Sequence, residues 1–97
     1  MANMCKLGQV VATRGVANLM GEDNDFAAFV QRSFLRYLRA DWGELCDSDR
    51  KQNDRALAQG DDRIFASYEQ ADHPEWKLWI ITEWDGSATT VLFPDEY

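Results

Sequence analysis

Residues 63–93, RIFASYEQADHPEWKLWIITEWDGSATTVLF, decide the fold. Three runs within them, 63–70, 76–84 and 88–93, are rich in aromatic and β-branched side chains, which favour a pleated, half-buried surface. Turn-forming residues separate the runs: Asp72-His73-Pro74-Glu75 first, then Asp85-Gly86, a dipeptide suited to a tight hairpin. The pattern predicts a three-stranded antiparallel meander. On its central strand, alternation puts Trp76, Leu78, Ile80, Thr82 and Trp84 on one face and Lys77, Trp79, Ile81 and Glu83 on the other. The first set is expected to meet a helix. The second is expected either to lie under a shorter helix or to remain an apolar patch.

Upstream, the period changes from two to about 3.6. Phe26, Phe29, Val30, Ser33, Phe34 and Tyr37 recur at steps of three and four, predicting a main helix over 26–39 with Asn24 or Asp25 as its N-cap. Phe34 is expected to be fully packed on that stripe. A second helix is predicted over 49–59, capped by Ser48 and stopped by Gly60, touching the core through Leu57. Residues 16–20 read as one helical turn ended by Gly21. Residues 7–13, with Val10, Val11 and Thr13, read as a short strand that joins the sheet at an edge. The expected fold class is α+β: a short N-terminal strand, two helices, and a meander packed on the main helix. With 97 residues and no repeat, linker or low-complexity stretch, one domain spanning 1–97 is expected.

The composition, 45% hydrophobic with 28% charged residues, is that of a folded globular chain. A net charge of −7 repels nucleic acid and anionic lipid, so direct nucleic-acid binding is disfavoured. No run approaches the roughly 20 apolar residues of a membrane span, and the first residues lack the apolar core of a secretory signal. A cytoplasmic protein without membrane contact is expected, with Cys5 and Cys46 as reduced, at least partly buried thiols. These features leave the oligomeric state open.

Chemistry is sparse. Cys5, Cys46 and His73 are scattered without zinc-ligand spacing, and the acidic pairs Asp47/Asp49 and Asp61/Asp62 lack the alternation of a calcium loop. His73 is the one histidine, placed before Pro74 in a predicted turn with no nucleophile nearby in sequence. No glycine pattern matches a phosphate cradle. Neither a catalytic residue, nor a metal, nor a cofactor is expected.

Charge is distributed unevenly. Residues 1–40 carry net +2 and residues 69–97 net −6. A meander brings Asp72, Glu75, Asp95 and Glu96 to one end of the sheet and Asp61, Asp62, Glu83 and Asp85 to the other, about 30 Å away at about 3.3 Å per residue. Arg32, Arg36 and Arg39 share one side of the main helix. The first acidic group and the three arginines are the candidate interaction residues. Trp42, Trp79 and Trp84 are the candidate lining of a small-ligand pocket between helix and sheet.

Three segments carry a resemblance. They are Lys6-Leu7-Gly8-Gln9-Val10-Val11-Ala12-Thr13, Asp41-Trp42-Gly43-Glu44-Leu45-Cys46 with Asn53-Asp54-Arg55-Ala56-Leu57, and Trp79-Ile80-Ile81-Thr82-Glu83 with Ser87-Ala88-Thr89-Thr90-Val91-Leu92-Phe93-Pro94-Asp95-Glu96-Tyr97. In these the chain resembles a family of small uncharacterised bacterial proteins found on plasmids and integrated mobile elements. Some members are labelled type I restriction modification subunits, a label that does not fit a chain this short without a cofactor-binding glycine loop. The resemblance implies a bacterial, mobile-element setting and no particular activity. Together with the charge map, it favours a non-enzymatic, acidic protein-interaction module of a mobile element, engaging a nucleic-acid-binding protein. The alternative is a small-ligand binder or enzyme using the tryptophan pocket. Trp42 itself, beside the end of the main helix that Gly43 is expected to terminate, is read as a packing residue.

Overall fold

A computed structural model describes residues 7–60 and 62–97. The element order is β1 (Gln9–Ala12), α1 (Arg14–Glu22), α2 (Asn24–Leu38), α3 (Asp47–Gln59), β2 (Ile64–Gln70), β3 (His73–Thr82), β4 (Ala88–Leu92) and a 3-10 turn (Pro94–Glu96). The fold is α+β. The antiparallel meander β2-β3-β4 is present, and β1 extends it in parallel beside β4, giving a four-stranded mixed sheet of order β1-β4-β3-β2.

Three helices form where two were expected. Val16, Leu19 and Met20 recur at i, i+3 and i+4 and pack inward, so the expected single turn lengthens to α1. Gly21 does not stop it, because a glycine one residue from a helix end costs only its propensity. Asp23 joins α1 to α2 and, rather than Asn24 or Asp25, caps α2: its carboxylate accepts from the amides of Asp25 at 2.9 Å and Phe26 at 3.1 Å. At the other end of α2, Ala40 takes the left-handed conformation (φ 62°), so Gly43 does not terminate the helix. Cys46, not Ser48, occupies the N-cap of α3, with no side-chain cap bond, and Asp47 and Asp49 supply the negative charge favoured in the first turn. Gly60 (φ 70°) closes α3 as expected.

The helices lie on one side of the sheet. Phe26 meets Trp76 edge-on at 5.3 Å and Phe29 stacks on it at 5.8 Å, while Tyr37 packs edge-on against Trp42 at 5.5 Å. Leu78 and Ile80 are fully buried on the same face. Burying one such side chain contributes about 1.5–3 kcal/mol. Phe34 departs from expectation. It is only partly buried, because it lies at the rim of the core and lines an open groove beside β1. Leu57 likewise packs only partly, and α3 meets the core through Ala56 and Asn53.

The β2–β3 turn is tighter than expected. His73 and Pro74 already belong to β3, and a register shift between Glu69 and Gln70 pairs Gln70 with His73. β3 ends at Thr82, so Trp84 leaves the helix-facing row. On the open face, Trp79 is covered by neither α3 nor solvent alone: Phe65 and Tyr97 meet it edge-on at 4.9 Å and 5.9 Å.

Candidate interaction surfaces

The sheet register brings Asp72, Glu75, Asp95 and Glu96 to one end, since Leu92 lies opposite Trp79 and the chain beyond it runs beside the start of β3. They are not equivalent charges. Glu96 accepts from the Thr13 hydroxyl at 2.5 Å, the Gly15 amide at 3.1 Å and the Phe93 amide at 2.9 Å. It ties the C-terminal turn to the first turn of α1. These bonds, that from Thr13 foremost, hold its carboxyl below the usual carboxylate range. Glu75 sits 3.2 Å from His73 Nδ1, and its carboxyl is lowered first by its own backbone amide and then by His73. His73 stacks flat on Trp76 at 3.8 Å. All four carboxylates are exposed, but Glu75 and Glu96 are engaged in hydrogen bonds, whereas none is formed by the Asp72 and Asp95 side chains among the described residues.

The arginine face is also committed in part. Arg36 forms a two-toothed pair with Asp41 at 2.8 and 3.2 Å and lies over the Tyr68 ring at 5.1 Å. Arg32 donates to Gln70 Oε1 at 2.7 Å, and Arg39 is exposed at the C-cap of α2. This pair orders the Asp41-Trp42-Gly43 segment, whose Gly43 amide also donates to Asp41 Oδ1 at 3.2 Å.

The three tryptophans do not converge on a pocket. Trp42 is buried on the helix side, its Nε1 donating to Asp54 at 2.9 Å. Trp79 lies on the opposite face of the sheet. Trp84 is 65% exposed and lines a cleft of about 170 Å³ between the C-terminal end of α3 and the β3–β4 turn. Leu57, Ile64 and Thr82 form the cleft's floor and walls, and Asp62, Glu83 and Asp85 line it with Trp84. Asp85 accepts from the Ser87 amide at 3.0 Å, which fixes the turn and holds its carboxyl low. Asp61, expected beside these acids, lies outside the described residues, as does Cys5. Cys46 is exposed rather than buried, at the start of α3.

A second surface was not anticipated from the sequence. An apolar groove of about 490 Å³ runs between β1 and α2, lined by Val10, Met20, Val30, Phe34, Leu35 and Val91 among others. Val10 (48%), Val11 (38%) and Leu35 (54%) are the exposed aliphatic side chains around it. The signal was available in Leu35, an aliphatic residue off the α2 stripe, and in the uncharged run 7–13. Among the described residues no three metal-ligating side chains cluster, and no helix is long and apolar enough to cross a membrane.

Comparison of the chain with protein families, curated proteins and solved structures finds no match in any of the three.

Proposed function

We propose that this chain is a non-enzymatic protein-interaction module that presents its acidic surface to a basic segment of another protein. The observation that carries the reading is Trp84: a large aromatic, mostly exposed, standing among Asp62, Glu83 and Asp85 over an apolar cleft. An aromatic face gains from an overlying cation, and Arg is the commonest partner of such a face. Carboxylates around it add charge-assisted bonds, and the apolar floor of Leu57 and Ile64 suits the aliphatic stem of the same side chain. An acidic chain of net −7 also speeds encounter with a basic partner in a salt-dependent way. The partner class is a nucleic-acid-binding protein, which carries basic segments by the nature of its ligand. The resemblance to small plasmid and mobile-element proteins supports a bacterial, cytoplasmic setting for that partner.

Affinity capture from a bacterial lysate tests this, using wild type beside Trp84→Ala and Glu83→Gln/Asp85→Asn. The reading expects a basic, nucleic-acid-binding protein retained by wild type at low salt, released at high salt, and lost with either variant. Equal retention by all three proteins contradicts it.

A further inference from the structure

The two edges of the sheet are finished differently. Along the outer edge of β2, the Phe65 carbonyl accepts from Asn53 Nδ2 at 2.6 Å and the Phe65 amide donates to Asn53 Oδ1 at 3.3 Å. Ser67 donates to the Trp42 carbonyl at 3.3 Å and accepts from Glu44 N at 2.7 Å, and Glu69 N donates to Glu44 Oε2 at 3.0 Å. That edge is closed by side chains and by the Trp42–Glu44 backbone. At β1, Gln9 N donates to Ser87 O and Thr13 N to Val91 O, so strand alternation turns the amides and carbonyls of Val10 and Ala12 away from β4. Among the described residues no hydrogen bond reaches those groups. Open edges are ordinarily blunted by charge, proline or a covering element. Residues 7–13 carry neither charge nor proline.

We propose that β1 is the contact of a twofold-symmetric pair of copies of this chain, joined antiparallel about Val11. The register is self-complementary. With Val11 on the axis, Val10 of each copy lies opposite Ala12 of the other, and these are the residues whose amides and carbonyls point outward, so four backbone hydrogen bonds form. Val11 then faces its own counterpart as a close non-hydrogen-bonded pair, and Gln9 faces Thr13.

Charge selects the occupant. A chain of net −7 meets a second copy at least cost where its surface is neutral, and the β1 groove is lined by no charged residue. The same twofold sets the exposed Arg14, at the start of α1, beside Gly8 of the other copy. Gly8 packs on Gly86 and Ser87, so Arg14 approaches the acidic β3–β4 turn of that copy, and the symmetry makes two such approaches. The contact is confined to two four-residue strands with Val10, Val11 and Leu35 from both copies, the small end of specific association, so the pair is expected to be reversible with Kd in the micromolar range. Because the β2 edge is already bonded, the assembly closes at two and does not propagate.

Sedimentation equilibrium over about 1 µM to 1 mM, with melting curves as a check of folding, is the experiment. Wild type is expected to pass from monomer to dimer. Val11→Lys, which sets like charges face to face on the axis, is expected to weaken dimerisation at least tenfold with an unchanged melting temperature at micromolar concentration. Ala12→Pro, which removes an outward amide without altering charge, is expected to do the same. A wild type that stays monomeric to 1 mM overturns the proposal and leaves the edge to a strand of another protein. Dimerisation undiminished in both folded variants overturns it equally. The variants keep the two readings distinguishable: Val11→Lys and Ala12→Pro leave the Trp84 cleft intact, and Trp84→Ala leaves the β1 edge intact.

Discussion

Asn53 stands in for a missing neighbouring strand: its side-chain amide pairs with both backbone groups of Phe65, donating to the carbonyl at 2.6 Å and accepting from the amide at 3.3 Å. One buried side chain on α3 thereby locks that helix to the edge of β2. Asn53→Ala leaves both Phe65 groups without their partner and is expected to cost about 2–3 kcal/mol. Asn53→Asp keeps only the acceptor and is expected to destabilise as well, whereas a surface substitution such as Gln52→Ala is expected to stay within about 0.5 kcal/mol. Urea unfolding of the three variants checks the ordering.

The C-terminal clasp has a pH signature. Glu96 is bonded to Thr13, Phe93 and Gly15, and its carboxyl is held below its ordinary value. A depressed carboxyl contributes stability that is fully present above the unfolded-state pKa, about 4.3, and is lost as pH falls through the lower folded value. Glu96→Gln is therefore expected to lower stability at pH 7 by about 1 kcal/mol, the scale of a helix-capping bond, and to differ less from wild type at pH 3. Melting temperatures at the two pH values give the test.

Tyr37 reports the opposite limit. Its hydroxyl is hydrogen-bonded to Thr82 Oγ1 at 2.6 Å, Thr82 bonds Thr89 at 2.8 Å, and Thr89 donates to the Leu7 carbonyl at 2.7 Å. Burial pushes the Tyr37 phenol up to about 12. A raised acid is stable as the neutral form, so this contribution holds below pH 10 and is lost as pH rises from there through 12. In Tyr37→Phe the alkaline decline is expected to shrink, at a cost near neutrality of about 1–2 kcal/mol for the orphaned partner. Stability measured from pH 8 to pH 11 decides.

The main stripe of α2 separates into two classes of phenylalanine. Phe26 is fully buried against Trp76 and Phe93, and Phe26→Ala is expected to cost about 3–5 kcal/mol. Phe34 borders the β1 groove, where solvent already reaches, and Phe34→Ala is expected to cost less than about 2 kcal/mol. Equal losses would show that the groove is filled in solution.

Periodicity made the meander and α2 legible, because both bury a row of side chains at a fixed repeat, Trp76 to Thr82 in one and Phe26 to Tyr37 in the other. The third helix was hidden by Gly21, a residue read as punctuation although nothing stands within 4 Å of it and the helix tolerates it. The role of Gly43 was hidden too. At φ 75°, a Cβ there would fall 2.0 Å from the Ser67 carbonyl oxygen, a requirement of long-range contact rather than of helix ending. Strand register puts Asp72, Glu75, Asp95 and Glu96 at one end and Asp62, Glu83 and Asp85 at the other, but sequence cannot tell a carboxylate that caps, such as Glu96, from one that makes no hydrogen bond among the described residues, such as Asp95. Trp84 was assigned to the buried row by alternation. β3 stops two residues earlier because the chain turns at Glu83, whose carbonyl accepts from the Gly86 amide at 2.9 Å.

The claim that Trp84 and its acids receive a basic segment is tested most directly by titrating isotope-labelled protein with an amphipathic Arg-rich peptide. Amide and indole shifts should be followed at low and high salt. The account predicts salt-sensitive changes concentrated at Leu57, Ile64, Thr82, Glu83, Trp84 and Gly86, and their loss in Trp84→Ala. Changes centred instead on Asp72 and Asp95, or no change at low salt, would contradict it.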